Sequence, residues 1–476
     1  MTKLLEKAFP SYERTGKPED EKLSFGKQLM YGTQHILTMY GGVIAPPLIV
    51  GGAAGLSGTE MALLVTAGLF ISGLATMLQA LGVGPFGARL PVVQGISFSG
   101  VSTMVAISNE SGINAVFGAV LAAGVIGLIA SSFFARLLRF FPPVVTGTII
   151  TVIGLSLMPV AFTWAMGGSG APDLGSMANI GLAGLTLLII LVISRVFQGA
   201  ISRLSILLGI VIGTAFAASI GEADFSAVGD ANIVALPPLL PFGAPTFEIG
   251  AIVSMTIVIF VTLTETTADI LAIGEIIDTD RGSRRVANGL RADMLSSSVA
   301  PLFGTFTCSA FAQNVGLVAL TRVKSRYVVA MGGVVLFLLG LFPVVGSVVA
   351  AIPYPVLGGA GIVLFGSVAA SGIQTLSKVE YGNNLNLVIV ATGIGFGVIP
   401  IAAPDFWSAF PSWIQVIMHS GISSCAVVVV LLNVLFNRIK VGQKEGPSVI
   451  AAGGEERADE AESREWSGPP DRVEAP

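Results

Sequence analysis

The sequence predicts an all-α polytopic membrane protein of 14 transmembrane segments, arranged as two inverted seven-span repeats with two short β-strands in segments 3 and 10. Three observations predict this fold: the composition, the placement of the basic residues and an internal repeat. Of 476 residues, 53% are hydrophobic and 11% are charged, whereas about a quarter of a soluble domain is charged. The mean hydropathy of +0.83 excludes an ordinary soluble protein.

The apolar residues occur in runs long enough to cross a bilayer, about 20 residues each. Two runs, Pro91–Ser108 and Thr305–Leu320, are short and broken. The polar residues 1–27 do not form a cleavable signal peptide, so the first run is expected to be a span. The predicted segments begin near Gln28, Glu60, Pro91, Asn114, Phe141, Asn179, Leu204, Glu248, Val286, Thr305, Tyr327, Ile352, Leu385 and Pro411.

The basic residues orient these segments. If the N-terminus is cytoplasmic, all 25 Lys and Arg lie in the two tails or in loops on the cytoplasmic side, while loops 163–178 and 221–247 carry none. This distribution obeys the positive-inside rule and predicts a plasma-membrane protein with both termini in the cytoplasm. The acidic tail beyond Lys440 is predicted to be disordered. The loop positions are Arg89, Arg136, Arg139, Arg195, Arg203, Arg281, Arg284, Arg285, Arg291, Arg322, Lys324, Arg326 and Lys378.

The internal repeat consists of two short matches at nearly one spacing. Pro143–Gly147 matches Pro355–Gly359, and Ser97–Ser99 matches Ala310–Ala312. Seven spans is an odd number, so the second copy enters the membrane in the opposite orientation. Inverted repeats of this kind are typical of secondary transporters, which hold substrate near the midplane between discontinuous helices.

The two broken segments are predicted to be extended and then helical. Their β-branched and aromatic residues favour strands, and non-helical backbone persists in a membrane only where it is buried or lines a cavity. Two paired strands would point two helix N-termini at one small volume, where a carbonyl-rich ligand or an anion fits. Phe98 and Phe311 hold matching positions and could stack on a flat ring, although most phenylalanines in such a chain serve ordinary packing.

Two carboxylates lie inside the eighth segment. Glu265 and Asp269 are four residues apart and share a helix face. An ionisable group at membrane depth is costly and indicates a functional site, and proton uptake would remove the buried charge. The alternative is a structural carboxylate bonded by helix N–H groups or threonine hydroxyls. Glu275 and Asp293 lie near segment ends and are expected to be solvated.

Other polar residues give weaker indications. His35 follows Gln34 in the first segment and is equally compatible with a structural and a functional role, whereas His419 is expected to be structural. Cys308 and Cys425 suggest neither a disulfide nor a metal site. No metal-ligand cluster, nucleophile–base pair or nucleotide-binding loop is present in the sequence, so we expect no enzyme activity, no cofactor and no nucleic-acid partner.

The segment Gln313–Arg322 resembles the signature of the nucleobase–ascorbate transporter family, also called the nucleobase:cation symporter family. That signature has Gln, Glu or Pro, then Asn, one residue, Gly, four residues, Thr, and Arg, Lys or Gly. Gln34-His35 resembles the family's first-span motif, Gly95–Phe98 its third-span motif with Ile96 in place of Thr, and Glu265 with Asp269 its eighth-span acidic pair.

The resemblance implies a core domain of spans 1–4 and 8–11 (residues 28–138 and 247–350) and a gate domain of spans 5–7 and 12–14 (139–246 and 351–437), with tails 1–27 and 438–476. The gate domain would mediate a homodimer. Substrate contacts are implied for Glu265, Gln313, Ser97, Phe98, Phe311 and Ala312. Coupling or support is implied for Asp269, His35, Asn314 and Gln34, and selectivity for Thr321 and Arg322.

Gln313 bears on the substrate class. Members that resemble uracil permeases carry Glu there, and members for xanthine and urate usually carry Gln. A primary amide offers an acceptor and donors, which match a lactam edge, whereas a carboxylate only accepts. We therefore expect import of urate, xanthine or both, coupled to H⁺, with Na⁺ left open and Val315 leaving the choice of purine open. The alternatives are a uracil permease of the same fold and an inorganic-anion carrier of the related sulfate-transporter fold.

Overall fold

The computed structural model describes residues 16–134, 140–229, 232–382 and 385–438. The predictions for Lys3, Lys7, Arg14, Arg136, Arg139 and the tail from Lys440 lie outside these ranges.

The described residues form helices almost throughout. In chain order they are α1 (Phe25–Ala53), α2 (Gly58–Leu81), α3 (Val101–Ser111), α4 (Ile113–Ser131), α5 (Pro143–Ala165), α6 (Met177–Val196), α7 (Ser205–Ser219), α8 (Ile249–Ile277), α9 (Ser283–Val299), α10 (Ala312–Thr321), α11 (Arg326–Leu339), α12 (Pro343–Ala350), α13 (Tyr354–Leu376), α14 (Leu385–Ala402), α15 (Ser412–Met418) and α16 (Gly421–Asn437). One-turn helices, Ala200–Arg203 and Ser226–Gly229, and 3₁₀ turns at Pro18–Asp20, Ala300–Phe303 and Pro404–Trp407 lie between or before them.

Within the described ranges, eight helices are long and apolar enough to cross a membrane: α1, α2, α4, α5, α6, α8, α13 and α14. Helices α11 and α12 together would make a ninth, although they are bent by 80°. The bend follows from Pro343, the first residue of α12, because proline cannot continue a helix. The chain is therefore a multi-pass membrane protein, and the count of 14 spans stays a prediction.

The helices pack in two groups, which we name by their members. The first helix group contains α1–α4 and α8–α12, and the second contains α5–α7, α13, α14 and α16. Glycines allow close approach within each group. A Cβ added to Gly154 of α5 would lie 2.3 Å from the backbone nitrogen of Ala369 in α13.

The residues that precede α1 are bound to the first helix group. Glu19 pairs with Arg285 at 2.8 Å and Asp20 with Arg326 at 2.7 Å. Burial alone would raise the pKa of Glu19, but hydrogen bonds from Thr279, the backbone and Arg285 outweigh it and lower that pKa. The end of the predicted tail 1–27 thus packs across the first turns of α9 and α11.

Two three-residue strands pair inside the first helix group, and we call this pair the strand crossing. Strand β1 (Gln94–Ile96) pairs antiparallel with β2 (Cys308–Ala310), with Gln94 opposite Ala310 and Ile96 opposite Cys308. All six residues are buried. The Ser97 amide donates to the Thr307 carbonyl at 2.8 Å, and the Phe311 amide donates to the Val93 carbonyl at 3.1 Å, so the pairing continues beyond each strand.

We predict that Gly73→Val destabilises the protein by about 1–3 kcal/mol or more, the usual cost of overpacking. A Cβ at Gly73 would lie 2.3 Å from the backbone nitrogen of Phe337 in α11, so two helices must move apart. The measurement is the thermal unfolding midpoint in detergent. Gly181→Val is the control, because nothing lies within 4 Å of a Cβ there. Equal midpoints for the two variants would contradict the close packing of α2 on α11.

Candidate functional site

The strand pair leads into two short helices, one from each of its ends. Helix α3 begins five residues after β1 ends, and α10 begins two residues after β2 ends. The first-turn amides of a helix have no partner within the helix and carry the positive end of its dipole. Two such ends near one buried strand pair are chemically suited to carbonyl oxygens or an anion.

Glu265 lies beside this crossing on α8. Its Oε2 accepts a hydrogen bond from Ser99 Oγ at 3.0 Å, and Ser99 Oγ lies 3.1 Å from Thr262 Oγ1. Ser97 Oγ lies 2.6 Å from Ser99 Oγ, so Ser97 reaches the carboxylate only through Ser99. Ser99, which has the direct contact, was missed as a site residue. Its place in the Ser97–Ser99 repeat match was the available signal.

Gln313 lies in the first turn of α10, and α10 packs against α8. The structure therefore brings the helices of Glu265 and Gln313 together. Ala312 and Gln313 are exposed, Glu265 and Asp269 are partly exposed, and Ala268 between them on α8 is exposed. All five residues are thus at least partly accessible.

The two predicted aromatic residues have different surroundings. Phe311 is 5% exposed, and its ring lies so close to Gly42 and Gly95 that a Cβ at either glycine would be within 2.7 Å of it. Phe98 is partly exposed and contacts Phe365 of α13, with ring centroids 6.1 Å apart. The rings of Phe98 and Phe311 are tilted by 59°. The two rings are not parallel, so they do not form a clamp around a flat ligand. Of the two, the Phe98 ring is the more accessible.

His35 and Asn314 form a buried pair. His35 Nδ1 lies 2.6 Å from Asn314 Oδ1, and Asn314 Nδ2 donates to the Pro91 carbonyl at 2.7 Å. Because Asn314 Oδ1 is an acceptor, Nδ1 of His35 must carry the proton. The pair holds α1, α10 and the segment before β1 together, next to Gln313, which precedes Asn314 in the chain.

The prediction that Asp293 is solvated is wrong, because the residue is 0% exposed. Its carboxylate accepts hydrogen bonds from Gln94 Nε2 and Thr266 Oγ1. Gln79 Nε2 lies 3.5 Å from the same group. Thr266 Oγ1 in turn accepts from the Ala310 amide at 3.2 Å. Asp293 therefore joins α2, α8 and both strands.

The sequence signal for Asp293 was its position on a helix stripe rather than its distance from a segment end. Leu290, Asp293 and Ser297 are spaced by three and four residues and are all buried. Spacing of this kind marks one face of a helix. Ser297 Oγ accepts a hydrogen bond from the Cys308 amide at 2.9 Å and donates one to the Cys308 carbonyl at 3.2 Å, so the same stripe also holds β2. A carboxylate on such a stripe is a structural centre of the site.

The remaining predicted residues lie around or away from this site. Asp269 interacts electrostatically with Glu265 and Asp293. In the described parts of the chain, none of these three carboxylates forms an ion pair. Thr321 and Arg322 lie at the far end of α10, roughly 13 Å along the helix from Ala312, and are not brought to the crossing. Gln34 is partly exposed on α1.

Solved structures show the same fold at low sequence identity. The transmembrane domain of a cyanobacterium bicarbonate transporter, BicA, matches with a TM-score of 0.54 and 13% identity over 87% of this chain and 100% of that chain. SLC26A9 matches with a TM-score of 0.59 and 12% identity over 88% of this chain and 67% of that chain. At this identity the similarity shows the fold alone.

Sequence comparison is more specific. The profile of the permease family matches residues 26–406. The uric acid transporter UacT of Escherichia coli is 40% identical over 440 residues, 91% of each chain. A xanthine permease of Bacillus subtilis is 40% identical over 88% of this chain and 96% of its own length, and the uric acid permease PucK of the same organism is 40% identical over 86% and 95%. The chain therefore belongs to the nucleobase–ascorbate transporter family, as the residues Gln313–Arg322 predicted.

Proposed function

We propose that this protein is a secondary active transporter that imports urate, xanthine or both together with H⁺. The observation that carries the proposal is that a partly exposed carboxylate, Glu265, and an exposed amide, Gln313, lie on two helices that pack against each other at the strand crossing. Relatives at 40% identity include uric acid and xanthine permeases, which supports an oxidised purine as the substrate.

The arrangement suits the edge of an oxidised purine. Each lactam edge of such a ring shows a C=O acceptor beside an N–H donor, and the Gln313 amide offers the complementary donor and acceptor. The first-turn amides of α10 would bind a second carbonyl. Phe98, whose ring is the more accessible of the two, would pack on the face of the purine.

Proton coupling follows from the electrostatics of α8. Glu265 has a hydroxyl partner, Ser99, but within the described ranges no cation pairs with it. A carboxylate in a membrane interior without a cation is costly when charged. Proton uptake removes that charge and lets the carboxyl group donate a hydrogen bond to the substrate. Proton release after the substrate leaves would return the site to its starting state.

The two helix groups suit the proposed core and gate domains. Apart from the first three residues of α1, the first helix group falls within residues 28–138 and 247–350, and the second falls within 139–246 and 351–437. The site lies wholly in the first group, and Phe98 reaches the second through Phe365. Movement of the core against the gate would expose the site to each side of the membrane in turn, with both termini in the cytoplasm and the gate forming a homodimer. The proposed topology has 14 spans in two inverted repeats.

The alternatives have less support. A uracil permease is disfavoured by Gln313, since a carboxylate is usual there in members that resemble uracil permeases. An inorganic-anion carrier shares the fold of the solved relatives, but an uncompensated carboxylate at the site would repel an anion.

We predict that Glu265→Gln abolishes purine accumulation, because the amide keeps the shape and hydrogen bonding of the side chain but cannot exchange a proton. The measurement is uptake of radiolabelled urate and xanthine by cells that lack purine transporters, with and without a protonophore. Glu275→Gln is the control on the same helix, since Glu275 makes only an exposed ion pair with Arg281 and such pairs contribute little. Wild-type uptake by Glu265→Gln would refute the coupling role.

We predict that Gln313→Glu lowers the preference for urate and xanthine relative to uracil, because a carboxylate cannot donate to the purine carbonyl. Competition of labelled uptake with urate, xanthine, hypoxanthine and uracil measures this. Gln374→Glu, an exposed position on α13, controls for the added charge. A competition profile identical to that of the wild type would remove the selectivity argument.

We predict that Asp293→Asn destabilises the protein by about 1–3 kcal/mol, because the amide offers one acceptor and sets a donor against Gln94 or Thr266. Thermal unfolding in detergent tests this, and uptake should fall in parallel as the strands lose their anchor. Asp278→Asn is the control, since Asp278 is exposed in a left-handed conformation that asparagine tolerates. An unchanged midpoint for Asp293→Asn would show that the network is not structural.

A further inference from the structure

A cavity of about 630 Å³ lies between the two helix groups and runs along α3 from its first turn toward its C-terminal end. The first group lines it with Ser102, Asn109 and Glu110 of α3. The second group lines it with residues that include Ser156 of α5, and the chain around α15 contributes Gln415 and His419. In the proposed topology α3 runs outward from the crossing, so this cavity is an external vestibule.

Four buried hydroxyl residues separate the vestibule from the site. Thr103 Oγ1 of α3 lies 2.6 Å from Ser420 Oγ and 3.2 Å from Ser423 Oγ. Ser254 Oγ of α8 lies 3.2 Å from Ser423 Oγ. Thr103 and Ser254 belong to the first helix group, and Ser420 and Ser423 cap and begin α16 of the second. We call these four residues the hydroxyl cluster, and every one of them is 0% exposed.

The position of the hydroxyl cluster along the route is well defined. Thr103 follows Ser99, the partner of Glu265, by one helical turn, and its neighbour Ser102 lines the vestibule. Ser254 precedes Thr262, the other partner of Ser99, by about two turns of α8. On the second group, His419 and Gly421 on either side of Ser420 also line the vestibule. The cluster thus forms the floor of the vestibule directly above the site.

The opposite side of the site is open. Helix α10 packs against α8 and α1, both of the first helix group. Its residues Gln313 and Gly316 are exposed, and nothing lies within 4 Å of a Cβ added to Gly316. Leu320 farther along the same face is 67% exposed. Residues of the two groups therefore meet on the vestibule side of the site, while this face of α10 is exposed.

We propose that the hydroxyl cluster is the outer gate of the transport route: its hydrogen bonds between the two helix groups close the path from the vestibule to the site and must break before a purine can enter. The proposal deepens the transport function above and rests on it.

Hydroxyl groups suit a contact that must form and break in every cycle. Hydrogen bonds between neutral groups are weaker than those of ion pairs. When the groups separate, the Ser254 hydroxyl can bond to the carbonyl four residues earlier in α8, as Thr262, Thr264 and Thr267 already do, and Ser420 Oγ keeps its bond from the Ser423 amide. Ser254 and Ser420 would therefore have a partner on their own side of the gate when it opens.

The first test is a disulfide across the gate. The hydroxyl oxygens of Thr103 and Ser420 lie 2.6 Å apart, near the S–S distance of about 2.0 Å that a cysteine pair at these positions would need. The variant Thr103→Cys/Ser420→Cys is made with Cys308 and Cys425 replaced by Ala. Oxidation should reduce purine uptake to that of the uncrosslinked fraction, and a reductant should restore it. Oxidation should not change purine uptake by either single cysteine variant. Undiminished uptake by fully crosslinked protein would overturn the proposal.

A second measurement does not depend on the substrate. A reporter thiol introduced by Gly316→Cys is labelled from the cytoplasmic side in inside-out vesicles. Crosslinking of the gate should leave this labelling unchanged or faster, because the locked protein stays open on that side. Loss of labelling would overturn the proposal. If the wild type takes up no purine, the proposed substrate is wrong, while the labelling result still decides the gate.

Removal of one hydroxyl gives the opposite shift without a crosslink. Thr103→Val keeps the side-chain shape but weakens the outer contact, so the reporter thiol at position 316 should label more slowly from the cytoplasmic side. Thr256→Val is the matched control, because the Thr256 hydroxyl bonds only within α8, to the Ile252 carbonyl. Equal labelling rates in Thr103→Val, Thr256→Val and the parent would overturn the proposal.

Discussion

The structure depends on hydrogen bonding of extended backbone inside an apolar protein. Around β1 and β2 the chain leaves helical geometry, and a polar backbone group buried there without a partner costs several kcal/mol. The strands satisfy one another, and side chains complete the set: Thr76 bonds Gln94, Ser297 bonds Cys308 and Thr266 bonds Ala310. Because these partners come from α2, α9 and α8, the same bonds that satisfy the strands hold three helices around them.

This anchoring separates the roles of two carboxylates that lie close in the fold. Asp293 is enclosed and accepts hydrogen bonds from neutral donors on three elements, an arrangement that suits a structural role in holding the crossing. Glu265 has one hydroxyl partner and is partly exposed. A group that is held by several donors is poorly suited to proton exchange, whereas a group with one donor and access to water is well suited. The proposed mechanism therefore assigns the moving proton to Glu265.

Sequence reasoning found what is set by composition and spacing along one segment. The broken segments at Pro91 and Thr305, the paired Glu265 and Asp269 and the family signature at Gln313 are all local patterns, and the family they predicted is confirmed. Sequence reasoning missed the features that depend on contacts between segments far apart in the chain. Ser99 reaches Glu265 across 166 residues and Asp293 reaches Gln94 across 199. Phe311 matched Phe98 in the repeat, yet one ring is enclosed by Gly42 and Gly95 and the other is accessible. No local pattern distinguishes these environments.

The central claim is that a proton moves with the purine through Glu265, and substrate-driven proton flux tests it most directly. Purified protein is reconstituted into liposomes that contain a pH-sensitive dye, without any ion gradient, and urate or xanthine is added outside. The account predicts that the lumen acidifies when either purine is added, that uracil has a smaller effect, and that Glu265→Gln liposomes show no change. Purine entry with no acidification, or entry that instead requires a sodium gradient, would contradict it.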